Sequence, residues 1–331
     1  MLIFRCKPML AFNFIITLIL LIFGGYIISY KYLNRPVNIS LPNNGVVNGY
    51  SNYSNGGQIA FLNSTIYYID QSILGGGVRK ITENTDKYIC RKMDKLYAYK
   101  QKLFCIKSGN VYCLHDNKLT VILNDIQDFA IANDSIYFSK FGNNNLDLLL
   151  FRCDFNGDNI KLLAEKVCKL FVIDDTAYYI NFSEQTGLKY DIMIIENELI
   201  TKVSEFNLDS FVNEITACKD FIVFDANVFS IVDGRIVDNS SLNYVYSAEP
   251  VLIYKTALDN TLICRAYSVE VDDIWLQEGD NTQPQIGLWK IDMNNDTKTK
   301  ISNDYKIKYF AVFDNDNVYY LKDNKIYQLR S

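Results

Sequence analysis

The chain has a single histidine, His115, in the stretch CLHDNK. A histidine beside a serine or cysteine nucleophile and an acid would make an acyl-transfer site. Here the surrounding residues read as a hairpin turn, and no G-x-S-x-G elbow accompanies it. Seven of the eight cysteines, Cys90, Cys105, Cys113, Cys153, Cys168, Cys218 and Cys264, lie beyond residue 35, and none has C-x-x-C spacing. Their apolar strand contexts are those of small buried hydrophobes rather than of a disulfide framework or a zinc site. DFNGDN, residues 154–159, superficially suggests calcium, but it lacks the acidic ladder and distal Glu of an EF-hand, so a hairpin turn accounts for it better. Glu270, Asp272 and Asp273 cluster carboxylates. A glycosidic acid pair can also come from separate segments and leave no local motif, so the sequence leaves that chemistry open. HExxH, P-loop and GxGxxG stretches are absent. No catalytic, cofactor-binding or metal-ligating residue is assigned, and no cofactor is expected.

The elements that would position any such site are legible. NSTIYYID at 63–70 returns as NDNVYYLKD at 315–323. Anchored on the residue that opens the IYY-like run, seven segments align at Ile66, Leu96, Ile136, Ala177, Ile222, Ile274 and Val318. Two residues before the anchor stand Asp94, Asp134, Asp175, Asp220, Asp272 and Asp316, with Ser64 as the exception. Seven and five before it, apolar residues such as Ile59 and Phe61, or Phe129 and Ile131, alternate at strand period. Each unit therefore opens as strand, tight turn, strand, the Asp locking the turn through its carboxylate. The second halves, among them NVYCLHDNKLTVIL and VFSIVDGRIVDN, read as another hairpin. Four strands in about 40 to 45 residues are the signature of a β-propeller blade.

The fold expected is thus all-β, a β-propeller of about seven four-stranded blades, six being the alternative count because the interval from Ile66 to Leu96 is short. The last unit ends after its third strand, so a segment within Gly45–Phe61 is expected to supply the fourth and close the ring. The long interval from Ile222 to Ile274 points to an inserted hairpin in SAEPVLIYKTALDN, near 245–262, as a place for function. NGGQIAFLNSTIYYID, LFCIKSGNVYCL, LFRCDFNGDNIKLL and LWKIDMNNDTKTKIS resemble a bacterial domain family of unknown function likened to the YWTD-type propeller of low-density lipoprotein receptor-related proteins. The resemblance covers residues 45–331 and implies a propeller, six-bladed as in those receptors. The family's Trp before the IYY run is mostly lost here and its Asp-Gly turn kept only as DFNGDN and VDGR. It implies no activity.

Ahead of the repeats, residues 9–30 run without a charge, and 22 helical residues would span roughly 33 Å, enough for a bilayer core. The run is longer than a signal-peptide core, lacks a small-residue cleavage site and is not followed by Cys, which predicts an uncleaved anchor. Residues 1–8 are read as a short cytoplasmic tail, 9–30 as the transmembrane signal anchor, 31–44 as a linker rich in Asn and Pro, and 45–331 as the propeller. The 331 residues are 49% hydrophobic, with 24 Tyr and 20 Phe, a composition that suits strands and excludes a disordered chain. Net charge is −5, and beyond residue 35 there are 29 basic against 38 acidic side chains. That excess of acid argues against nucleic acid as partner. Abundant Asn, Ile, Lys and Tyr fit a low-GC bacterial source. The reading is a single-pass membrane protein whose extracytoplasmic propeller binds a protein or polysaccharide ligand, lipid being met through the helix. The alternative is a carbohydrate-active enzyme using paired carboxylates.

Overall fold

The computed structural model describes residues 12, 15–25, 35–37, 39–42, 53, 56–73, 76–83, 85–142, 147–184, 189–196, 198–207, 212, 215–224, 227–246, 251–268, 286–304, 307, 309–314 and 317–330. A short strand, β1 (Arg35–Pro36), precedes seven antiparallel sheets. Blade one holds β2 (Ile59–Leu62), β3 (Thr65–Asp70), β4 (Gly77–Thr82) and β5 (Thr85–Arg91). Blade two holds β6 (Lys95–Tyr99), β7 (Lys102–Lys107), β8 (Asn110–His115) and β9 (Lys118–Leu123). Blade three is β10 (Asp128–Ala132), β11 (Ser135–Phe141), β12 (Leu148–Cys153) and β13 (Lys161–Ala164). Blade four is β14 (Val167–Ile173), β15 (Thr176–Glu184), β16 (Lys189–Glu196) and β17 (Leu199–Asn207). Blade five is β18 (Ile215–Ala217), β19 (Phe221–Phe224), β20 (Asn227–Ser230) and β21 (Arg235–Val237). A short helix, Ser240–Tyr246, leads to blade six, β22 (Val251–Leu258), β23 (Thr261–Ser268), β24 (Gly287–Asp292) and β25 (Thr297–Ser302). Blade seven has β26 (Tyr309–Val312), β27 (Asn317–Lys322) and β28 (Lys325–Arg330).

This is the seven-bladed propeller the repeats predict, and the shorter count of six does not hold. Two of the seven anchors are out of register. Leu96 lies on the first strand of its blade, β6, so the residue equivalent to Ile66 is Leu103 on β7. In blade six the equivalent is Leu262 on β23, while Ile274 lies outside the described residues. With Leu103 and Leu262 in place, all seven anchors are buried. The stretch 245–262 is correspondingly no insertion, since Val251–Leu258 is the regular first strand of blade six; the long connection runs from Ser268 to Gly287.

The turn acids have a reason other than the one expected. Asn63 and Ser64, Asn133 and Asp134, and Asp174 and Asp175 are pairs with φ between 44° and 62°, the two left-handed central residues of type I′ hairpins. Asn and Asp tolerate that region better than other side-chain-bearing residues, so tolerance of backbone conformation selects them. The carboxylates of Asp134 and Asp175 accept from neighbouring blades. Asp94 is different again: it precedes β6, and its Oδ2 accepts from the backbone amide of Ser108 at 2.7 Å. Asp272 and Asp316 lie outside the described residues.

Apolar side chains pack chiefly between blades. One cluster joins blades one and two through Ile69, Val78, Leu96 and Leu103, another joins six and seven through Ile263, Leu288, Phe310 and Val318, and a larger one runs through blades two to five. Inside blade one, Arg79 Nε donates to Asp86 Oδ1 at 2.8 Å and Tyr68 Oη donates to Oδ2 at 2.7 Å, so this buried carboxylate is held on both oxygens.

Among the described residues no strand from Gly45–Phe61 joins blade seven. Ile59–Phe61 belongs to β2, residues 43–52 are outside the described residues, and blade seven has three strands among those described. The innermost strands β26 and β2 instead pack directly on one another. An N-terminal strap covers their seam. β1 pairs with the outer strand β5, Val37, Ile39 and Leu41 pack on the cluster shared by blades seven and one, and Ser40 is bonded on both sides. Its amide donates to Gln328 Oε1 at 2.8 Å and its carbonyl accepts from Tyr319 Oη at 2.9 Å. Part of the stretch expected to be a linker is therefore docked on the propeller. Residues 15–25 are helical and expose Leu20, Leu21 and Phe23; among the described residues no helix is long and apolar enough to cross a membrane.

Candidate functional site

Each blade turns from its first to its second strand on one face of the ring, which also carries the turns from third to fourth strand. On this face the inner hairpins interlock. Tyr99, closing β6, donates to Asp175 Oδ1 at 2.8 Å, two blades away, and accepts from the Asp134 amide at 3.1 Å. The Asn133 amide donates to the same Asp175 oxygen at 2.9 Å, and Lys100 pairs with Asp134. Burial, chiefly, raises the Tyr99 phenol above its ordinary range.

Further round this face, blades five and six frame an open cleft of about 540 Å³ lined by Lys219, Asp259, Asn260, Thr261, Lys290 and Asp292, with Asn294 at its edge. Asn260 stands where the repeat has its turn Asp. Its Oδ1 accepts from the Asp220 amide at 2.9 Å, and its Nδ2 donates to Asp220 Oδ2 at 2.6 Å and Asn294 Oδ1 at 3.1 Å. Asp292 Oδ1 accepts from the amides of Asn294 and Asn295 while Oδ2 accepts from Asn295 Nδ2 at 2.7 Å. The Asn295 side chain, more than any other contact, holds the Asp292 carboxyl below the usual range. An ionised, already bonded carboxylate is a hydrogen-bond acceptor, not a proton donor.

The opposite face carries the blade-to-blade connections and the turns from second to third strand. Here Tyr53 rests against Tyr97 and Phe129, with Lys95 Nζ 4.6 Å from its ring centroid. Beneath it, Asp128 accepts from the amides of Phe129 at 2.9 Å and, across the blade boundary, Leu170 at 3.1 Å. Burial raises the Asp128 carboxyl, and burial followed by the charge of Asp128 raises the Tyr53 phenol well above its ordinary value. A second cleft, about 500 Å³, opens on this face between blades seven and one.

The residues the sequence singled out are not gathered at either cleft. His115 is 87% exposed on its side chain and meets Asp116 at 3.3 Å in a surface turn. The seven cysteines are free; Cys113 and Cys168 are half-buried and the rest buried. Burial pushes the thiols of Cys90 and Cys168 up to about 11 and those of Cys153, Cys218 and Cys264 up to about 12. Such thiols are poor nucleophiles at neutral pH. Asp154 closes its own turn, accepting from the amides of Asn156 and Asp158 at 2.9 Å, so DFNGDN is a hairpin turn. Glu270, Asp272 and Asp273 lie outside the described residues. Among the described residues no group of three His, Cys, Asp or Glu side chains is placed to hold a metal ion.

No family model matches the chain, and none of the curated proteins matches it. Solved structures do. The oligogalacturonate lyase of Vibrio parahaemolyticus is 8% identical, the alignment covering 91% of this chain and 98% of that one with a TM-score of 0.52. A chain of the mitotic checkpoint complex is 9% identical over 90% and 94%, again at 0.52. The tricorn protease is 15% identical over 80% of this chain at a TM-score of 0.38, and the present chain spans only 28% of its length. At these identities the likeness is one of fold. Ring propellers thus appear in an enzyme and in a protein assembly alike, and the fold by itself selects neither role.

The slipped register in blade six helped to hide the cleft side chains from sequence reading. Aligning on Leu262 would have placed Asn260 at the turn position and Asp259 and Thr261 beside it.

Proposed function

We propose that this chain is a membrane-anchored, extracytoplasmic β-propeller that binds a protein or a cell-envelope polymer and performs no chemistry of its own. The observation that carries the reading is the fixed lining of the cleft between blades five and six. Asn260 is held by the Asp220 amide and carboxylate and by Asn294 before any ligand arrives. Polar groups locked by their own neighbours lose little freedom on binding, and that is what a recognition surface needs. The anchor rests on the uncharged run 9–30 and on the apolar side chains exposed by the helix at 15–25. A place among the bacterial relatives of YWTD-type propellers rests on the IYY strands and the turn acids Asp134 and Asp175.

A carbohydrate-active alternative draws on the presence of two carboxylates, Asp259 and Asp292, in one cleft. In such a pair Asp292, kept ionised by the Asn295 side chain, is the base or nucleophile, and Asp259 has to donate the proton.

The test is retention. Full-length protein in detergent, immobilised and offered an extract of its own cell envelope, is expected to enrich one component, and Asn260→Ala to weaken that retention. A folded protein that retains nothing while hydrolysing envelope glycan would overturn the binding reading.

A further inference from the structure

The outermost strands, which form the rim of the ring, differ in charge from one side to the other. On blades three and four the rim cations are matched: Arg152 and Lys161 pair with Glu198, and Lys202 pairs with Asp191 and Glu205. Blades two and five carry one rim cation each, Lys118 on β9 and Arg235 on β21. The seam is different. β28 carries Lys325 and Arg330 with no acid, and β5 carries Lys87 and Arg91 with one acid, Asp86, which is buried and committed to Arg79. Lys87, Lys325 and Arg330 are exposed, and none of them has an ion pair among the described residues. Lys87 also stands directly opposite Lys80 across β4 and β5. Like charges so placed repel unless an anion serves both. Tyr327, between the two bases of β28, is 37% exposed, an amphipathic ring of the kind enriched at the surface of bilayers.

The N-terminal chain arrives on this same side. Arg35 of β1 is paired with Asp86 of β5, and the uncharged run 9–30 ends only five residues earlier, at Tyr30. Five residues reach at most about 18 Å in any conformation. A domain of this length is roughly 50 Å across. With the run held in a bilayer, the rim of blade one is therefore kept near the headgroups, and the rim of blade four, across the ring, is out of reach. Charge then selects among the surfaces the tether allows. The face of the interlocked hairpins carries Asp134, Asp174, Asp175, Asp220 and Asp259 in its inner turns against Lys100 and Lys219, so an anionic surface repels it.

We propose that the rim of blades seven and one rests on anionic lipid headgroups of the bilayer that holds the N-terminal run, so that the ring stands on its edge. The inference rests on the anchored reading above and adds the surface by which the propeller meets the membrane. Lys87, Lys325 and Arg330 meet lipid phosphates, with Tyr327 at the level of the headgroups. The acid-rich face with the cleft between blades five and six is then turned sideways, open to a ligand instead of closed against lipid.

The experiment places full-length protein in lipid nanodiscs of phosphatidylcholine, with or without phosphatidylglycerol, and follows acetylation of single lysines by mass spectrometry. Lys87 and Lys325 are expected to react about fivefold or more slowly in the anionic discs than in the neutral ones. Lys166 and Lys219, exposed and remote from the seam, should react equally in both. The difference should fade at about 0.5 M salt. Lys325→Glu combined with Arg330→Glu should abolish the protection of Lys87 without changing thermal unfolding; should that variant fail to fold, the corresponding Gln substitutions carry the comparison. Equal rates for Lys87 and Lys325 in the two discs, or protection shared equally by Lys166 and Lys219, would overturn the proposal. So would equal protection by soluble polyphosphate in neutral discs, which would assign the rim to a free polyanion. Protein that enters the discs without this protection sinks the inference alone; protein that enters neither kind of disc sinks the anchored reading with it.

Discussion

At the scale of single residues, backbone conformation and burial decide more than side-chain chemistry does. Asn133 and Asp134 are chosen for positive φ, so Asn133→Val, which puts a β-branched residue at φ 46°, should destabilise the protein by about 1–2 kcal/mol in chemical denaturation. The same change at an exposed extended position should have little effect. The buried cysteines make a second prediction. Burial raises the thiols of Cys90, Cys153, Cys218 and Cys264 to about 11 or 12 in the folded protein, above their unfolded values, and raises Cys105 as well. The folded state therefore holds those protons more tightly, so the stability they contribute is complete below the unfolded thiol pKa and is lost as pH climbs from about 9 towards 12. Native protein should also react with a disulfide reagent at pH 8 far more slowly than denatured protein. Equal rates would show that the thiols are not enclosed.

At the scale of elements, the strands were legible because alternation with a period of two survives in nearly every blade. The register failed where two strands of one blade looked alike and where a blade broke the pattern. KLYAY and KLFCIK both offer an apolar anchor followed by an aromatic, so Leu96 could pass for Leu103. In blade six the inner strand carries Lys255 where its counterparts are apolar, among them Ile59, Leu96 and Phe129; Lys255 is nevertheless buried, as is Arg265 on the next strand. A charged residue in a core register misdirects any pattern search. The seam was beyond such reading altogether, because a strap of Asn, Pro and Ser has linker composition whether or not it docks. Two substitutions probe these elements. Tyr319→Phe removes the bond to Ser40 and should cost about 1 kcal/mol, with faster hydrogen exchange confined to β26–β28 and β2. Asp86→Ala leaves the buried Arg79 guanidinium without its carboxylate and should cost about 3–5 kcal/mol in thermal or chemical unfolding.

At the scale of the whole molecule, rigidity and function meet. The interblade clusters and the hairpin bonds that cross blade boundaries, such as Tyr99 to Asp175, make the ring one packed frame on which clefts are held open. Sequence alone revealed the frame; it could not reveal the clefts, because their walls are assembled from turns of different blades and depend on a correct register. The most direct measurement of a binding role is hydrogen–deuterium exchange on full-length protein with and without its envelope extract, run alongside an assay for newly released reducing ends. A binding module predicts protection concentrated in 219–220, 259–261 and 290–294, with no release of reducing ends. Glycan cleavage that Asp259→Asn and Asp292→Asn both abolish, with neither cleft protected by a stable ligand, would contradict it.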